Sequence, residues 1–374
     1  MNQRATDLMN LRKADTMTSK ERVMTTFAHQ EPDRVPVNYF ANGGINRNLM
    51  EYFGLAADDW GGLTNVLGVD FRGVGAWYTG PRLHAEIEGR GVDPCWGIRT
   101  RWIEHDSGGY MDFCDFPLAG ADEETIANWP MPNPDHYDYS HVAQHCDDVK
   151  DFAVFNGGAG LPDIINSTGM IRTMEQVLVD LITDDPAGLL LIDRKLEIAL
   201  KVLERTLEAA KGKIDFIWMG EDLGTQRSPI MSLELFRKHI RPRHQKVIDL
   251  AKAYNLPTLI HTCGSSSWSY PDMIEMGITG VDTLQPEAVN MSPRYLKENF
   301  GDKLFFHGCI STAGPVANGS VEEMKAECRS TLDIMMPGGG YCFSPAHCLQ
   351  DNSKPENVAA MYEMAFTHGR YGRE

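Results

Sequence analysis

Thr258-Leu259-Ile260-His261-Thr262-Cys263-Gly264 is the stretch that decides the fold of this 374-residue chain. An apolar run that stops at a turn glycine reads as a short buried strand. Upstream, residues 232–254 carry helical periodicity with Ser232 placed as a cap; downstream, 270–276 is helical again and a second apolar run follows at 280–285. Helix, strand, helix, strand is the repeat of βα units around parallel strands.

Counting outward from that core, strands are expected over 35–40, 69–72, 152–155, 216–221, 258–263, 280–285, 304–310 and 340–344. Helical partners cover 186–211, 232–254, 270–276, 292–299, 321–336 and 355–368, with Ser292 a second cap. Eight strands in this alternation imply an α/β fold closed into a (β/α)8 TIM-type barrel. Such barrels run from ~200 to more than 400 residues as one domain, so the expectation is a single barrel domain over 1–374.

Two regions stand apart. Residues 1–17 lack clear periodicity and are expected as an N-terminal arm, after which Thr18-Ser19-Lys20-Glu21 reads as a capped helix start. Residues 73–138 break the βα alternation. They carry Trp77, Trp96, Trp102 and Trp129, an alternating segment at 99–104 and a Pro-rich run at 129–134, and they read as an inserted hairpin or lid in the first half.

Composition narrows the function. A formal net charge of −17 sets a field that repels polyanions, so nucleic acid is excluded as a partner. Eight cysteines are too few for a disulfide scaffold in a chain this long, residues 1–20 form no apolar leader, and no window approaches the ~18 apolar residues of a membrane helix. A cytoplasmic enzyme with reduced thiols, off the membrane, is expected.

Its chemistry begins at His261 and Cys263. Residues i and i+2 of a strand share a face, and the carboxyl ends of barrel strands form the active-site rim, so one metal can take both side chains. Imidazole and thiolate together suit Zn²⁺, and a catalytic zinc takes three protein ligands and keeps one position open. Cys348, 348 − 263 = 85 residues from Cys263 and just past the last strand, is the best third ligand, with His347 and the pair His307 and Cys309 as alternatives. Against this, buried cysteine is often a small hydrophobe and a strand-end histidine often only satisfies backbone groups.

Glu221 and Asp222 follow an apolar strand to the same rim, where a carboxyl group serves as proton donor, orienting group or displaceable ligand. Of the two, Glu221 is the better ligand candidate and Asp222 the better orienting group. Asn38, Asn156 and Gln285 end other strands and are expected to line the cofactor and substrate pocket. Gly157-Gly158-Ala159-Gly160 lacks the lysine of a phosphate loop and reads as a tight turn that lets a ligand come close.

The opening Glu21-Arg22-Val23 with Glu31-Pro32-Asp33-Arg34-Val35-Pro36-Val37 resembles that of the uroporphyrinogen decarboxylase superfamily. Leu67-Gly68-Val69-Asp70, Asp222-Leu223-Gly224 before Ser228-Pro229, Asp282-Thr283-Leu284-Gln285 and Gly301-Asp302-Lys303-Leu304 continue the likeness in the family's order, over nearly everything except 73–138. The resemblance implies a (β/α)8 barrel with its pocket at the carboxyl rim. The decarboxylases carry an Arg-Gln-Ala-Gly-Arg motif after the first strand for porphyrinogen carboxylates, whereas this chain has Asn38-Tyr39-Phe40-Ala41-Asn42-Gly43-Gly44 there.

The zinc-containing, cobamide-dependent methyltransferases of the same superfamily carry His-x-Cys and a distant Cys as ligands. His261, Cys263 and Cys348 are similar to that pattern in order. What this branch implies is a corrinoid-dependent methyltransferase of the O-demethylation type. Zinc would activate a small methylated substrate, such as a methyl ether, and a partner corrinoid protein would receive the methyl on its cob(I)amide. The alternatives are transfer from methylcobamide to a thiol, a decarboxylase of the uroporphyrinogen type, and a non-enzymatic zinc-binding partner of a corrinoid protein. Nothing in the sequence decides between a monomer and a homo-oligomer.

Overall fold

A computed structural model describes residues 1–105 and 108–372. Seven strands, Phe71–Gly73, Ala153–Pro162, Phe216–Gly220, Thr258–His261, Gly280–Leu284, Phe305–Ile310 and Tyr341–Pro345, form one parallel sheet in sequence order. Residues 36–38 bridge its two edges. On one side the Phe343 amide donates to the Pro36 carbonyl (2.9 Å) and the Asn38 amide to Phe343 (3.2 Å); on the other the Asp70 amide donates to Val37 (3.0 Å). The strand expected over 35–40 is therefore only a pair of bridges, Val37 to Phe343 and Ala41 to Leu349. Two donors are missing from a regular ladder there: Pro36 has no N–H, and the Val37 amide goes to the Asp70 carboxylate at 2.8 Å.

Strand parity sorts the side chains into two cores. Phe71, Ala153, Phe216, Trp218, Leu259, Phe305 and Cys342 face the interior of the curled sheet, where Val23, Phe27, Phe40 and Phe155 join them. Val154, Ile217, Met219, Ile260, Val281 and Phe306, on the opposite faces, pack against the helices. Each fully buried aromatic or branched side chain contributes ~1.5–3 kcal/mol, so this alternation fixes the register of every strand.

Helix Ser19–Phe27 starts on the Thr18/Glu21 capping box and stacks Phe27 on Phe305 with ring centroids 4.2 Å apart, covering the amino-terminal end of the interior. Beside it lies a buried ionic cluster. The Asp70 carboxylate accepts from Arg22 (2.8 Å), Arg34 (2.9 Å) and Ser19 (2.7 Å), while Arg22 also pairs with Asp33 (2.7 Å) and Arg34 with Asp15 (2.9 Å). The residues that carry the resemblance at the start of the chain thus tie helix, loop and first strands together.

Residues 3–10, within the stretch expected as an irregular arm, form helix Gln3–Asn10, capped by Asn2 and anchored by buried Ala5 and Leu8. In the 73–138 region, Gly91–Val92, Arg99–His105 and Gly108–Phe113 make a small antiparallel sheet, and Trp77–Tyr78 pairs with Tyr137–Asp138. Trp129 Nε1 donates to the Trp96 carbonyl at 3.1 Å. The excursion bends back over the rim, and a Cβ on Gly108 would lie 2.8 Å from Asp351 Oδ2, three residues beyond Cys348. The expected tight turn at Gly157 is instead an irregular continuation of strand Ala153–Pro162. A Cβ at Gly157 (φ +97°) would meet the Trp218 carbonyl at 2.1 Å, so only glycine lets the two strands approach. No helix among the described residues is long and apolar enough to cross a membrane.

Candidate metal centre

The site begins with register. Asp282 is the pairing partner of His261 on one neighbouring strand and of His307 on the other, and all three side chains point into the interior at the carboxyl end. Asp282 Oδ2 lies 2.9 Å from His261 Nδ1, and Oδ1 lies 2.6 Å from His307 Nδ1. Asn38 sets the second tautomer. Its Oδ1 accepts from the Tyr39 amide, which turns Nδ2 toward His307 Nε2 at 3.1 Å and leaves the His307 proton on Nδ1. The carboxylate between two imidazoles is held far below the ordinary range, because its bonds to His307 and His261 outweigh the cost of burial. Burial lowers the His261 pKa and the Asp282 hydrogen bond more than reverses it, for a net rise.

With Nδ1 engaged, His261 presents Nε2 to Cys263 Sγ at 3.5 Å and to Asp222 Oδ1 at 3.8 Å. Among the described residues, Asp222, His261 and Cys263 form a group whose donor atoms all lie within 4.8 Å of one another. Asp222 is held in turn: Oδ1 accepts the Cys263 amide (2.8 Å) and Oδ2 the Asn166 side chain (2.9 Å). Burial, then Asp222, pushes the Cys263 thiol up, and a dication supplies the opposite field. Oxygen, nitrogen and sulfur donors in one cluster fit Zn²⁺. The turn beneath requires Gly264 (φ +70°), since a Cβ there would meet the Gly224 carbonyl at 2.3 Å, and Gln285 Oε1 takes the Gly264 amide at 2.6 Å.

Several expected site residues lie elsewhere. Glu221 is fully buried and turned away from the cluster. Its oxygens accept the amides of Ile164 (2.8 Å) and Ile165 (2.9 Å) at the start of helix Ile164–Arg172, and His244 Nε2 is 2.9 Å away. Burial pushes Glu221 up to about 8 and His244 down to about 4. Against the expectation that Glu221 is the better ligand candidate, it is Asp222 that stands beside His261 and Cys263, while Glu221 is turned to the helix start at Ile164. Asn38 is spent on His307 and Tyr39, Asn156 donates to the Val74 carbonyl at 2.7 Å outside the central cavity, and Gln285 braces the Gly264 turn. None of the three lines the cavity beside His261. Cys309 packs between sheet and helices, and His307 supports His261 through Asp282.

Cys348 does line that cavity, a space of about 150 Å³ walled by Phe40, Phe155 and Trp218 and ending on His261, His347 and Cys348. Its sulfur lies outside the group of donors within 4.8 Å of one another. Sequence reasoning missed the roles of Asp282, of Trp218 and of Thr283, whose hydroxyl lies 2.6 Å from His261 Nδ1. Parity counted from Leu259 and Phe216 places Asp282 and Trp218 inside.

An α/β chain with a curled parallel sheet and a polar cluster at the carboxyl ends of its strands is the class that this geometry defines. Residues 164–368 match the family described as Uroporphyrinogen decarboxylase (URO-D), and the chain belongs to that family. Its fold is similar to that of a solved methyltransferase from Methanosarcina mazei, at 18% identity and a TM-score of 0.63, covering 94% of this chain and 99% of that one. No curated protein matches the chain.

Proposed function

We propose that this protein is a zinc-dependent methyltransferase that moves a methyl group from a small methylated substrate, such as a methyl ether, to the cob(I)amide of a corrinoid protein. The observation that carries the reading is an apolar cavity ending on His261, beside the group Asp222, His261 and Cys263. Likeness of fold to a protein named a methyltransferase supports it. Among the described residues no Lys or Arg lines the cavity, which speaks against a substrate with many carboxylates.

His261, Cys263 and Cys348 would hold the zinc, with Asp222 close enough to His261 and Cys263 to serve as a further ligand. When bound, Zn²⁺ supplies Lewis acidity at the donor heteroatom. The chain does the rest. Asp282 keeps His261 in one tautomer, Asp222 fixes the Cys263 backbone, and Phe40, Phe155 and Trp218 exclude water around the methyl group. The methyl–heteroatom bond would break with its electron pair left on the heteroatom, and the cob(I)amide of the corrinoid partner would supply the electron pair for the new bond to the methyl group. Cys263→Ala should lose both zinc content and methyl transfer to cob(I)amide. Full transfer by a zinc-free variant would refute the reading.

A further inference from the structure

The strand that carries Asp282 is irregular at the next residue. Asp282 pairs with His307 and Leu284 with Gly308, so Thr283 is an extra residue in strand Gly280–Leu284. Alternation would send it outward after Asp282. Instead Leu284 takes the helix side with Val281, and Thr283 turns into the cavity next to Asp282. A β-branched residue makes this turn at φ +63° while only 2% exposed, a conformation that glycine or asparagine reaches at lower cost. Strain of this kind persists where the surroundings demand one particular side chain.

That side chain meets His261. Thr283 Oγ1 lies 2.6 Å from Nδ1 and 3.5 Å from Nε2. The second distance sets the oxygen beside the imidazole and off the line from Nδ1 to Asp282 Oδ2, which is 2.9 Å long. A hydroxyl oxygen can come this close because it shares the Nδ1 proton, whereas a methyl carbon needs about 3.5 Å or more. Asp282 fixes the tautomer, but the outer torsion of a histidine is broad, and one hydrogen bond leaves the ring free to swing about it. A second contact off that line stops the swing. Resting on the proposed zinc centre, we propose that Thr283 is a positioning residue: the bulge sets its hydroxyl against His261 and holds the ring so that Nε2 faces Cys263 and Asp222 before the ion arrives.

The full chain and three variants test this by chelator competition for zinc, the Co²⁺-substituted spectrum, and nitrogen NMR of the histidine rings in the zinc-free protein. Thr283→Ser keeps the oxygen and should keep zinc affinity within about twofold. Thr283→Val puts a methyl where the oxygen was, and Thr283→Ala leaves the ring unbraced. Each should lower the affinity ~10-fold, the low end for a lost supporting partner because Asp282 remains, and each should alter the Co²⁺ spectrum. In the zinc-free protein both should shift the His261 Nδ1 signal, and the Ser variant should not. Wild-type affinity in the Val and Ala variants, or a loss in Ser equal to theirs, would overturn the assignment. A purely structural role would lower the unfolding midpoint and leave the Nδ1 signal unmoved, and that result overturns it as well. Should the Val variant not fold, Ala against Ser decides. If the wild type binds no zinc, the metal reading falls while the zinc-free spectra still decide the role of Thr283.

Discussion

Asp282→Asn should cost zinc affinity although residue 282 is no ligand. The carboxylate accepts from His261 Nδ1 (2.9 Å), His307 Nδ1 (2.6 Å) and the Thr283 amide (2.6 Å). Asparagine offers one oxygen and one NH₂, so one histidine must face a donor with a donor. His307 cannot yield, because its Nε2 is already the acceptor for Asn38 at 3.1 Å. The conflict falls on His261, which relieves it by carrying its proton on Nε2, the atom that faces Cys263 and Asp222. Loss of such a supporting partner lowers metal affinity ~10–100-fold, or about 1.4–2.7 kcal/mol. Competition against a chromophoric chelator measures it, and the Co²⁺-substituted spectrum reports the altered ligand field. Affinity within about twofold of wild type would refute the tautomer argument, since 0.4 kcal/mol is far below the expected loss.

Consecutive carboxylates should separate cleanly in the same titration: Asp222→Asn lowers zinc affinity, while Glu221→Gln leaves it within about twofold and lowers the unfolding midpoint instead, because a side-chain amide faces amide donors. Removing one partner from the buried ionic cluster, as in Asp70→Asn, should cost ~3–5 kcal/mol in urea unfolding without changing zinc affinity. Asp33 adds a pH signature. Burial raises its pKa, but Arg22 and the amides of Met17 and Thr16 outweigh that and hold it at about 2. A depressed carboxyl stabilises the fold above its unfolded value of ~3.9 and loses that contribution as pH falls toward 2, so Asp33→Asn should flatten the acid limb of the stability curve.

Apolar runs bounded by turn residues made the later strands legible, because a strand buried on both faces needs only hydrophobic sequence and a stop. Thr258–His261, Gly280–Leu284 and Phe305–Ile310 fall inside the expected ranges, and helix Tyr270–Met276 coincides with its own. The first stave was harder, since Pro36 and the Asp70 carboxylate take over bonds that a ladder would make. Helix Gln3–Asn10 hid behind its polarity: Ala5 and Leu8 are its only buried residues, too few to show a period in sequence. Over 73–138 the alternation at 99–104 signalled the strand Arg99–His105, but nothing local named its pairing partner, which depends on contacts made in space.

The site was legible as a strand end and obscure as a set of charges. Which of two adjacent carboxylates faces the interior is a matter of counting from a residue known to be inside, and Trp218 supplies that count only once the strand is fixed at Phe216–Gly220. Electrostatics then distinguishes the acids in a way no spacing can. Asp282 is saturated by two imidazoles, while burial pushes Glu221 and then Asp163 up to about 8, the latter with help from its acidic neighbours. Asp222 differs: its hydrogen-bond donors are the neutral Cys263 amide and Asn166, and among the described residues its ion-pair partner is His261. A partly buried carboxylate and thiol sharing one imidazole are a poor arrangement for a protein standing alone and a good one for a bound dication. That imbalance in charge argues for a metal more strongly than the His-x-Cys spacing did, and it does so from residues that the spacing never named.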